Sequence, residues 1–309
     1  MAHGGTELAH NQLVKRIDKS ILDSVQVVSR PENLESDKKH VLWMQDMPGD
    51  APFLANKQDR EKFDSIVFVS SWQQSVFNMN MGVPFSESTV IKNAIEPIEP
   101  HAKPDDGKIR LIYHPTPHRG LAILVPVFIE LAKKYDFLHL DVFSNFDIYG
   151  WGHLNKEFEE LYEQCRNHPQ ITYHGFQPND VVREALKTSH IFAYPCIWRE
   201  TSCMAAMEAM SAGCLIVAPD YGALPETLAN FNIRYDWTED FSVHAQRFFV
   251  SLSYAIESLQ SEQTQNRLKA QKAYADMHYS WDDREAQWTT FLSNLQPKIP
   301  KRSLINWMS

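Results

Sequence analysis

The chain has 309 residues, of which 43% are hydrophobic and 22% charged, enough apolar material for one large core or two modest ones, and two domains are expected. Its 30 Lys and Arg against 39 Asp and Glu give a net charge of −9, which argues against a nucleic-acid partner because such binding neutralises many phosphates. Any phosphate-binding site must therefore depend on a few neighbouring residues and not on the overall charge of the chain.

The four cysteines indicate reduced, buried thiols in a cytoplasmic protein, because they form no CxxC pair and no His lies at zinc-finger spacing. No run approaches the ~20 apolar residues of a membrane span, and the first ten residues lack the apolar centre of a signal peptide. Peripheral membrane contact stays open. These cysteines are Cys165, Cys196, Cys203 and Cys214.

Strand-like runs alternate with helical stretches along the first part of the chain, which is typical of parallel α/β sheets. Residues 5–19 are predicted as a helix, and another helix follows Ser71. A segment with three prolines between Ala94 and Lys108 is the predicted domain linker, since neither a helix nor a central strand tolerates it. The strands predicted before it are 24–28, 40–44, 65–69 and 89–93.

A second alternation begins after the linker, and the chain is predicted to be helical from Asp240 to its end. In this last part Trp281, Trp288 and Phe291 share one helical face, which we interpret as core. The predicted strands are 109–114, 137–143, 171–175, 191–195 and 214–218, and the main predicted helices are 121–134, 154–167 and 202–212.

The densest candidate site is residues 198–214, where seven residues separate Glu200 from Glu208. A helix is predicted to begin between them, with Thr201 or Ser202 as its N-cap. The free amides and the positive dipole end of such a helix attract a diphosphate, and a carboxylate can accept two hydrogen bonds from a sugar diol. On these residues alone, an ordinary helix with two acidic side chains is an equally good interpretation.

This stretch resembles the Glu-x7-Glu motif of retaining glycosyltransferases, particularly glycosyltransferase family four. Other segments resemble that family in the same order along the chain, which is more diagnostic than any one motif. They are residues 4–7 (GGTE, the glycine-rich donor loop), 68–74, 90–96, 113–124, 174–181 (the nucleotide-base loop), 213–226 and 280–288.

The resemblance implies an α/β protein of the GT-B type, with two Rossmann-like domains whose parallel sheets face each other across a cleft. Residues 1–97 would form the acceptor-side domain, 98–278 the nucleotide-sugar domain, and 279–309 a helix crossing back to the first domain. The family's first strand is missing ahead of Gly4, so the N-terminal domain is expected to be shortened.

Carried over by position, Glu200 would face the donor sugar, Glu208 would hold the ribose diol, and Arg119 would neutralise the phosphates. The backbone amides of residues 202–204 would donate hydrogen bonds to the diphosphate. The binding positions implied are Gly4, Gly5, Thr6, His114, Arg119, Gly175, Phe176, Glu200, Thr201, Ser202, Cys203, Met204 and Glu208.

Two departures from the family pattern bear on catalysis. His114 stands where many members have an Arg, and Gln45 and Asp46 follow the strand where the family has a His. Gln45 cannot take a proton at neutral pH, so Asp46 is the fallback base, and a loop Asp in a turn is its alternative interpretation. The implied catalytic set is therefore Glu200, Arg119 and Asp46.

The sequence thus predicts a retaining, metal-independent, hexosyltransferase-like glycosyltransferase. Its donor would be a UDP- or GDP-linked sugar with no further cofactor, and its acceptor a glycan, a lipid or a small molecule. The Asp pairs at 105–106 and 282–283 are interpreted as solvated surface rather than a metal site. Two alternatives stay open: a non-catalytic sugar-nucleotide-binding or partner subunit, and a sugar-nucleotide epimerase or hydrolase.

Overall fold

The structure, a computed structural model, describes residues 4–295. Its contacts divide the chain into two compact units. Unit 1 combines the described residues up to Lys15 with Lys92–Arg284, and unit 2 combines Arg16–Ile91 with the described residues from Glu285 onward. Of the predicted C-terminal segment, residues 296–309 lie outside the described part of the chain.

Unit 2 contains a parallel four-stranded sheet in the order β1-β2-β3-β4. Its helix α4 follows β3. The helix begins after Ser70, because the Ser70 side chain caps the N-terminus by accepting a hydrogen bond from the Gln73 amide. It ends before Gly82, the C-cap residue, which has φ +65°. The elements are α2 (Lys19–Leu22), β1 (Val25–Val28), β2 (Lys39–Met44), α3 (Lys57–Arg60), β3 (Ser65–Phe68), α4 (Ser71–Met81) and β4 (Ser88–Val90).

Unit 1 contains a parallel six-stranded sheet in the order β10-β9-β8-β5-β6-β7, and α1 (Gly5–Arg16) begins in this unit. Its strands are β5 (Ile109–Tyr113), β6 (Leu138–Val142), β7 (Ile171–Tyr173), β8 (Ile191–Ala193), β9 (Leu215–Asp220) and β10 (Ile233–Asp236). Its helices are α5 (Leu121–Ala132), α6 (Glu159–Asn167), α7 (Asn179–Thr188), α8 (Met204–Ser211), α9 (Leu224–Leu228), α10 (Phe241–Ser258) and α11 (Glu262–His278); α12 (Trp281–Ser293) begins here and continues into unit 2.

The units differ from the predicted domains at their edges. Residues 4–15, predicted in the N-terminal domain, belong to unit 1, and so does the proline-rich segment from Lys92. Hydrogen bonds attach that segment to unit 1, because the Ile98 amide donates to Ser211 Oγ at 2.8 Å and Lys272 Nζ donates to the Ile98 carbonyl at 2.5 Å. The unit boundaries fall at 15/16, 91/92 and 284/285, whereas the predicted domain boundaries are 97/98 and 278/279.

Each unit has its own apolar core. In unit 1, β5, β8 and β9 pack with α5 and α8 in one large buried cluster, which includes all four cysteines as free, buried thiols. In unit 2, Phe63, Phe68 and Phe77 lie in the core, and Trp288 of α12 packs edge-on against Trp43 at 4.9 Å. The predicted core role of Trp281 and Trp288 is confirmed, since they are 2% and 0% exposed, whereas Phe291 on the same predicted face is only partly buried.

Candidate functional site

The candidate site lies at the carboxyl ends of β5 and β8, which are neighbours in the sheet of unit 1. After β5 the chain adds β6 and β7 on one side, and it then returns to add β8, β9 and β10 on the other. Ligands of open parallel sheets bind at such a reversal of strand order. The loop that carries Arg119 follows β5, and the loop that carries Glu200 follows β8.

Arg119 and Glu200 meet directly, although 81 positions separate them in the sequence. Arg119 Nη1 donates to Glu200 Oε1 at 2.5 Å, and Arg119 Nε donates to Thr116 Oγ1 at 3.1 Å. Tyr194, which follows β8, donates its hydroxyl to the same Oε1 atom at 2.5 Å. The structure therefore brings together two predicted residues and adds Tyr194, which the sequence did not single out.

Two glycines allow the loops of this site to pack closely. A Cβ atom at Gly222 would lie 2.7 Å from the carbonyl oxygen and 2.9 Å from the amide nitrogen of Glu200, and the Ala223 amide donates to that carbonyl at 2.8 Å. A Cβ atom at Gly120 would lie 2.2 Å from the carbonyl oxygen of Pro195. Both glycines have positive φ, +61° and +132°, so both conformation and space require the absence of a side chain.

Helix α8 begins one turn beyond Glu200, and its N-cap differs from the prediction. Cys203 occupies the N-cap position with φ −97° and makes no side-chain capping bond, so neither Thr201 nor Ser202 is the cap. Both residues lie in the loop ahead of it instead. The Ser202 hydroxyl is buried and has no hydrogen-bond partner among residues 4–295. A buried hydroxyl beside open helix amides is well placed to bind an anion.

The glycine-rich start of α1 lies beside this helix. A Cβ atom at Gly5 would be 3.5 Å from Met204 Sδ, and one at Gly4 would be 2.5 Å from the Tyr149 ring. Thr6 lies in the first turn of α1. Residues 4–6 and α8 therefore belong to the same unit.

Glu208 is buried in the second turn of α8 and is held by two side chains that the sequence did not indicate. Asn179 Nδ2 lies 3.2 Å from both carboxylate oxygens, and Arg183 Nη1 lies 3.1 Å from Oε1. Burial raises the pKa of Glu208, and the nearby Arg183 charge acts in the opposite direction. Arg183 Nη2 also donates to the Pro97 carbonyl at 3.4 Å.

The histidines of the β5 loop are neutral at physiological pH. Burial lowers the pKa of His114 and of His118 to about 4. His114 lies against Phe192, while His118 stacks on Phe146 and meets the edge of Trp198 at 4.8 Å. His114 thus supplies a hydrogen-bonding group at its position, not the positive charge that an Arg would bring.

The predicted base loop follows β7 and precedes α7. Gly175 has φ +64°, a left-handed conformation that favours glycine, and Phe176 comes next. The preceding His174 stacks on Phe143 at 4.1 Å and hydrogen-bonds Asp141 Oδ1 at 2.7 Å. A stacked, hydrogen-bonded ring therefore fixes the beginning of this loop.

Asp46 belongs to unit 2, whereas the other predicted site residues belong to unit 1. Its carboxylate is paired with Arg30 at 2.7 Å, and its carbonyl accepts a hydrogen bond from Gln73 Nε2 at 2.7 Å. These contacts fit a structural loop aspartate. Within residues 4–295 no group of three or more His, Cys, Asp or Glu could hold a metal ion. In the same described range, no helix is long and apolar enough to cross a membrane.

Residues 97–246 match the family model described as "Glycosyl transferases group 1". The solved glycosyltransferase from Rickettsia africae has a TM-score of 0.70 at 14% identity, and the match covers 93% of this chain and 81% of that one. Anabaena Alr3699/HepE in complex with UDP-glucose has a TM-score of 0.69 at 15% identity, with 89% and 81% covered. The fold is therefore α/β with two parallel, Rossmann-like sheets, as predicted, and it is the fold of these GT-B glycosyltransferases.

The similarity to group 1 glycosyltransferases is carried by residues 97–246, about half of the chain. A phosphatidylinositol N-acetylglucosaminyltransferase subunit from Homo sapiens is 31% identical over 144 residues, which cover 45% of this chain and 28% of that protein. The subunit of the same name from Arabidopsis thaliana is 28% identical over 197 residues, covering 63% and 39%. The chain thus spans well under half the length of these relatives.

Proposed function

We propose that this chain transfers a sugar from a nucleoside-diphosphate sugar to an acceptor, with retention of anomeric configuration and without a metal ion. The observation that carries the proposal is the hydrogen bond between Arg119 and Glu200 ahead of α8, together with Glu208, which is buried two turns further along. Both carboxylates are less than a tenth exposed. Buried carboxylates beside open helix amides suit a ligand that has both hydroxyls and phosphates.

In this proposal the amides at the start of α8 and the Arg119 guanidinium bind the diphosphate. Departure of the sugar increases the negative charge on the diphosphate, and donors already fixed in place stabilise that charge in the transition state. Glu200 accepts a hydrogen bond from the donor sugar, and Glu208 accepts from the ribose diol. The leaving phosphate oxygen takes the acceptor's proton, so Asp46, paired with Arg30, has no required catalytic role.

The names of similar proteins guide the choice of first substrates. The Anabaena structure contains UDP-glucose, and the relatives are named for N-acetylglucosamine and phosphatidylinositol. We therefore propose a UDP-linked hexose or N-acetylhexosamine as the first donor to test, with a GDP-linked donor as comparison, and phosphatidylinositol as the first acceptor. A cytoplasmic location with peripheral membrane contact and a partner subunit belong to the same proposal.

A second candidate function is sugar-nucleotide binding without transfer. His114 favours it, because its pKa of about 4 leaves it uncharged at neutral pH where a phosphate-binding cation is expected. One charge fewer at the diphosphate would weaken transition-state stabilisation more than ground-state binding.

Thermal stabilisation by UDP, GDP and ADP in the presence of EDTA tests the donor site. A nucleotide at about 100 times its dissociation constant adds about 2.7 kcal/mol to stability. We expect stabilisation by one of the three, its loss in Glu208→Ala and its retention in Glu184→Ala, a control whose carboxylate is 69% exposed. No stabilisation by any nucleotide would contradict both candidate functions.

Release of nucleotide diphosphate then separates the two functions. Transfer predicts release that depends on an acceptor and persists in EDTA, with the product keeping the donor's anomeric configuration by NMR. Stabilisation by nucleotide without release across a broad acceptor panel would favour the binding subunit. Freed or altered sugar without an acceptor would indicate a hydrolase or an epimerase.

A further inference from the structure

Tyr194 is a fully buried tyrosine whose hydroxyl points at the carboxylate of the site. It immediately follows β8, is 0% exposed, and its ring lies 6.2 Å from that of Tyr113 and 5.4 Å from that of Phe192. Its hydroxyl donates to Glu200 Oε1 at 2.5 Å. Burying a hydroxyl among aromatic rings is costly unless it is hydrogen-bonded, so this contact is strongly favoured.

The Glu200 carboxylate is bound on one side only. Both Arg119 Nη1 and the Tyr194 hydroxyl donate to Oε1, and no residue in the range 4–295 donates to Oε2. The backbone of Glu200 is also fixed, because Gly222 packs against it and the Ala223 amide binds its carbonyl. With the backbone and one oxygen held, Oε2 is the atom left for a ligand.

Arg119 and Tyr194, which both donate hydrogen bonds to Oε1, differ in what else they can bind. In the proposed reaction Arg119 also binds phosphate, and its guanidinium moves or shares its hydrogen bonds when the diphosphate arrives. Tyr194 is buried in the core and has no path to the phosphates. It is therefore the donor that keeps Glu200 in place once Arg119 is engaged.

We propose that Tyr194 is a positioning residue that holds Glu200 with Oε2 directed at a hydroxyl of the donor sugar. This inference rests on the proposed function. It assigns to Tyr194 the recognition of the sugar, as distinct from the nucleotide, because Glu200 is the sugar-facing carboxylate. A carboxylate that is already held in the binding orientation binds a sugar hydroxyl more tightly, because its orientation does not have to be fixed on binding.

The test compares the dissociation constants of UDP and UDP-N-acetylglucosamine for Tyr194→Phe and for the wild-type chain, by titration calorimetry. We expect the affinity for UDP to stay within about twofold and the affinity for the UDP-sugar to fall about tenfold, as for a lost hydrogen bond to a charged group. Tyr279→Phe is the matched control, since Tyr279 is also 0% exposed and donates to the Thr227 carbonyl at 2.7 Å. It is expected to leave the ratio of the two constants unchanged.

A double-mutant cycle gives the second readout. Once Glu200→Ala has removed the carboxylate, adding Tyr194→Phe should change the ratio of the two constants no further. An equal loss for UDP and UDP-sugar in Tyr194→Phe, or the same ratio change in Tyr279→Phe, would mean that Tyr194 is only structural and would overturn the inference alone. A wild-type chain that binds neither ligand would overturn the proposed function with it.

Discussion

Replacing Gly222 by Ala is expected to displace Glu200 while leaving the fold intact. The added Cβ would lie 2.7 Å from the Glu200 carbonyl oxygen and 2.9 Å from its amide nitrogen, and both are backbone atoms that cannot rotate away. Non-bonded carbon contacts are favourable only from about 3.5 Å, so the Glu200 loop must move by several tenths of an ångström. Such a shift would disturb the hydrogen bonds of the carboxylate with Arg119 and Tyr194.

The loss of stability expected in Gly222→Ala has two contributions. A left-handed conformation costs a residue with a side chain roughly 1–2 kcal/mol. Overpacking adds about 1–3 kcal/mol. Gly107→Ala separates the two, because Gly107 has φ +76° in the same unit but nothing lies within 4 Å of its Cβ position.

Thermal unfolding and UDP-sugar titration of the two variants check this reasoning. At roughly 2–4 °C per kcal/mol for a domain of this size, Gly222→Ala should lower the melting temperature about twice as far as Gly107→Ala. Only Gly222→Ala should weaken UDP-sugar binding. Equal melting temperatures and equal affinities in the two variants would refute the view that Gly222 fixes Glu200.

Three further changes have outcomes set by the structure. Arg183→Met leaves Glu208 buried without its cation, so the variant should lose about 1–3 kcal/mol at pH 8, as measured by urea unfolding. The loss should become smaller as the pH is lowered, because burial raises the pKa of Glu208 and a protonated carboxyl needs no cation. The wild-type chain should lose stability as pH falls from 6.5 towards about 4, because in that window His114 and His118 take up protons only when unfolded. His114→Gln should make the stability profile in that window less steep. Trp288→Ala removes a 0%-exposed indole packed on Trp43 and should cost about 3–5 kcal/mol by the same measurement, whereas a cost below about 1 kcal/mol would contradict its core role.

Most of the fold could be predicted because its strands are short apolar runs bounded by turn residues. Every predicted strand overlaps an observed one, but β10 was missed, since only Tyr235 of its four residues is buried and the pattern is mostly polar. The helix predicted for residues 5–19 is two helices. Asp18 begins the second by accepting a hydrogen bond from the Ser20 amide at 2.7 Å, a local interaction that competes with helix continuation.

The site was harder to predict than the fold. Motif order identified Arg119 and Glu200, but it could not show that they share a hydrogen bond, because strand order decides which loops meet. Tyr194 gave no signal, since an aromatic residue in an apolar run is typical of a core. The partners of Glu208, Asn179 and Arg183, lie on a helix whose polar residues have the pattern of an ordinary exposed face.

The starts of α1 and α8 lie side by side, so this net-negative chain presents two sets of free helix amides at one place. At ~0.1 M salt the Debye length is about 10 Å, so the net charge of −9 repels an anionic donor mainly in dilute buffer, while the two helix ends attract it at short range. Added salt therefore weakens a repulsion and an attraction together. The rate of donor association should accordingly vary little with ionic strength, in contrast to the steep decline of electrostatically steered encounters.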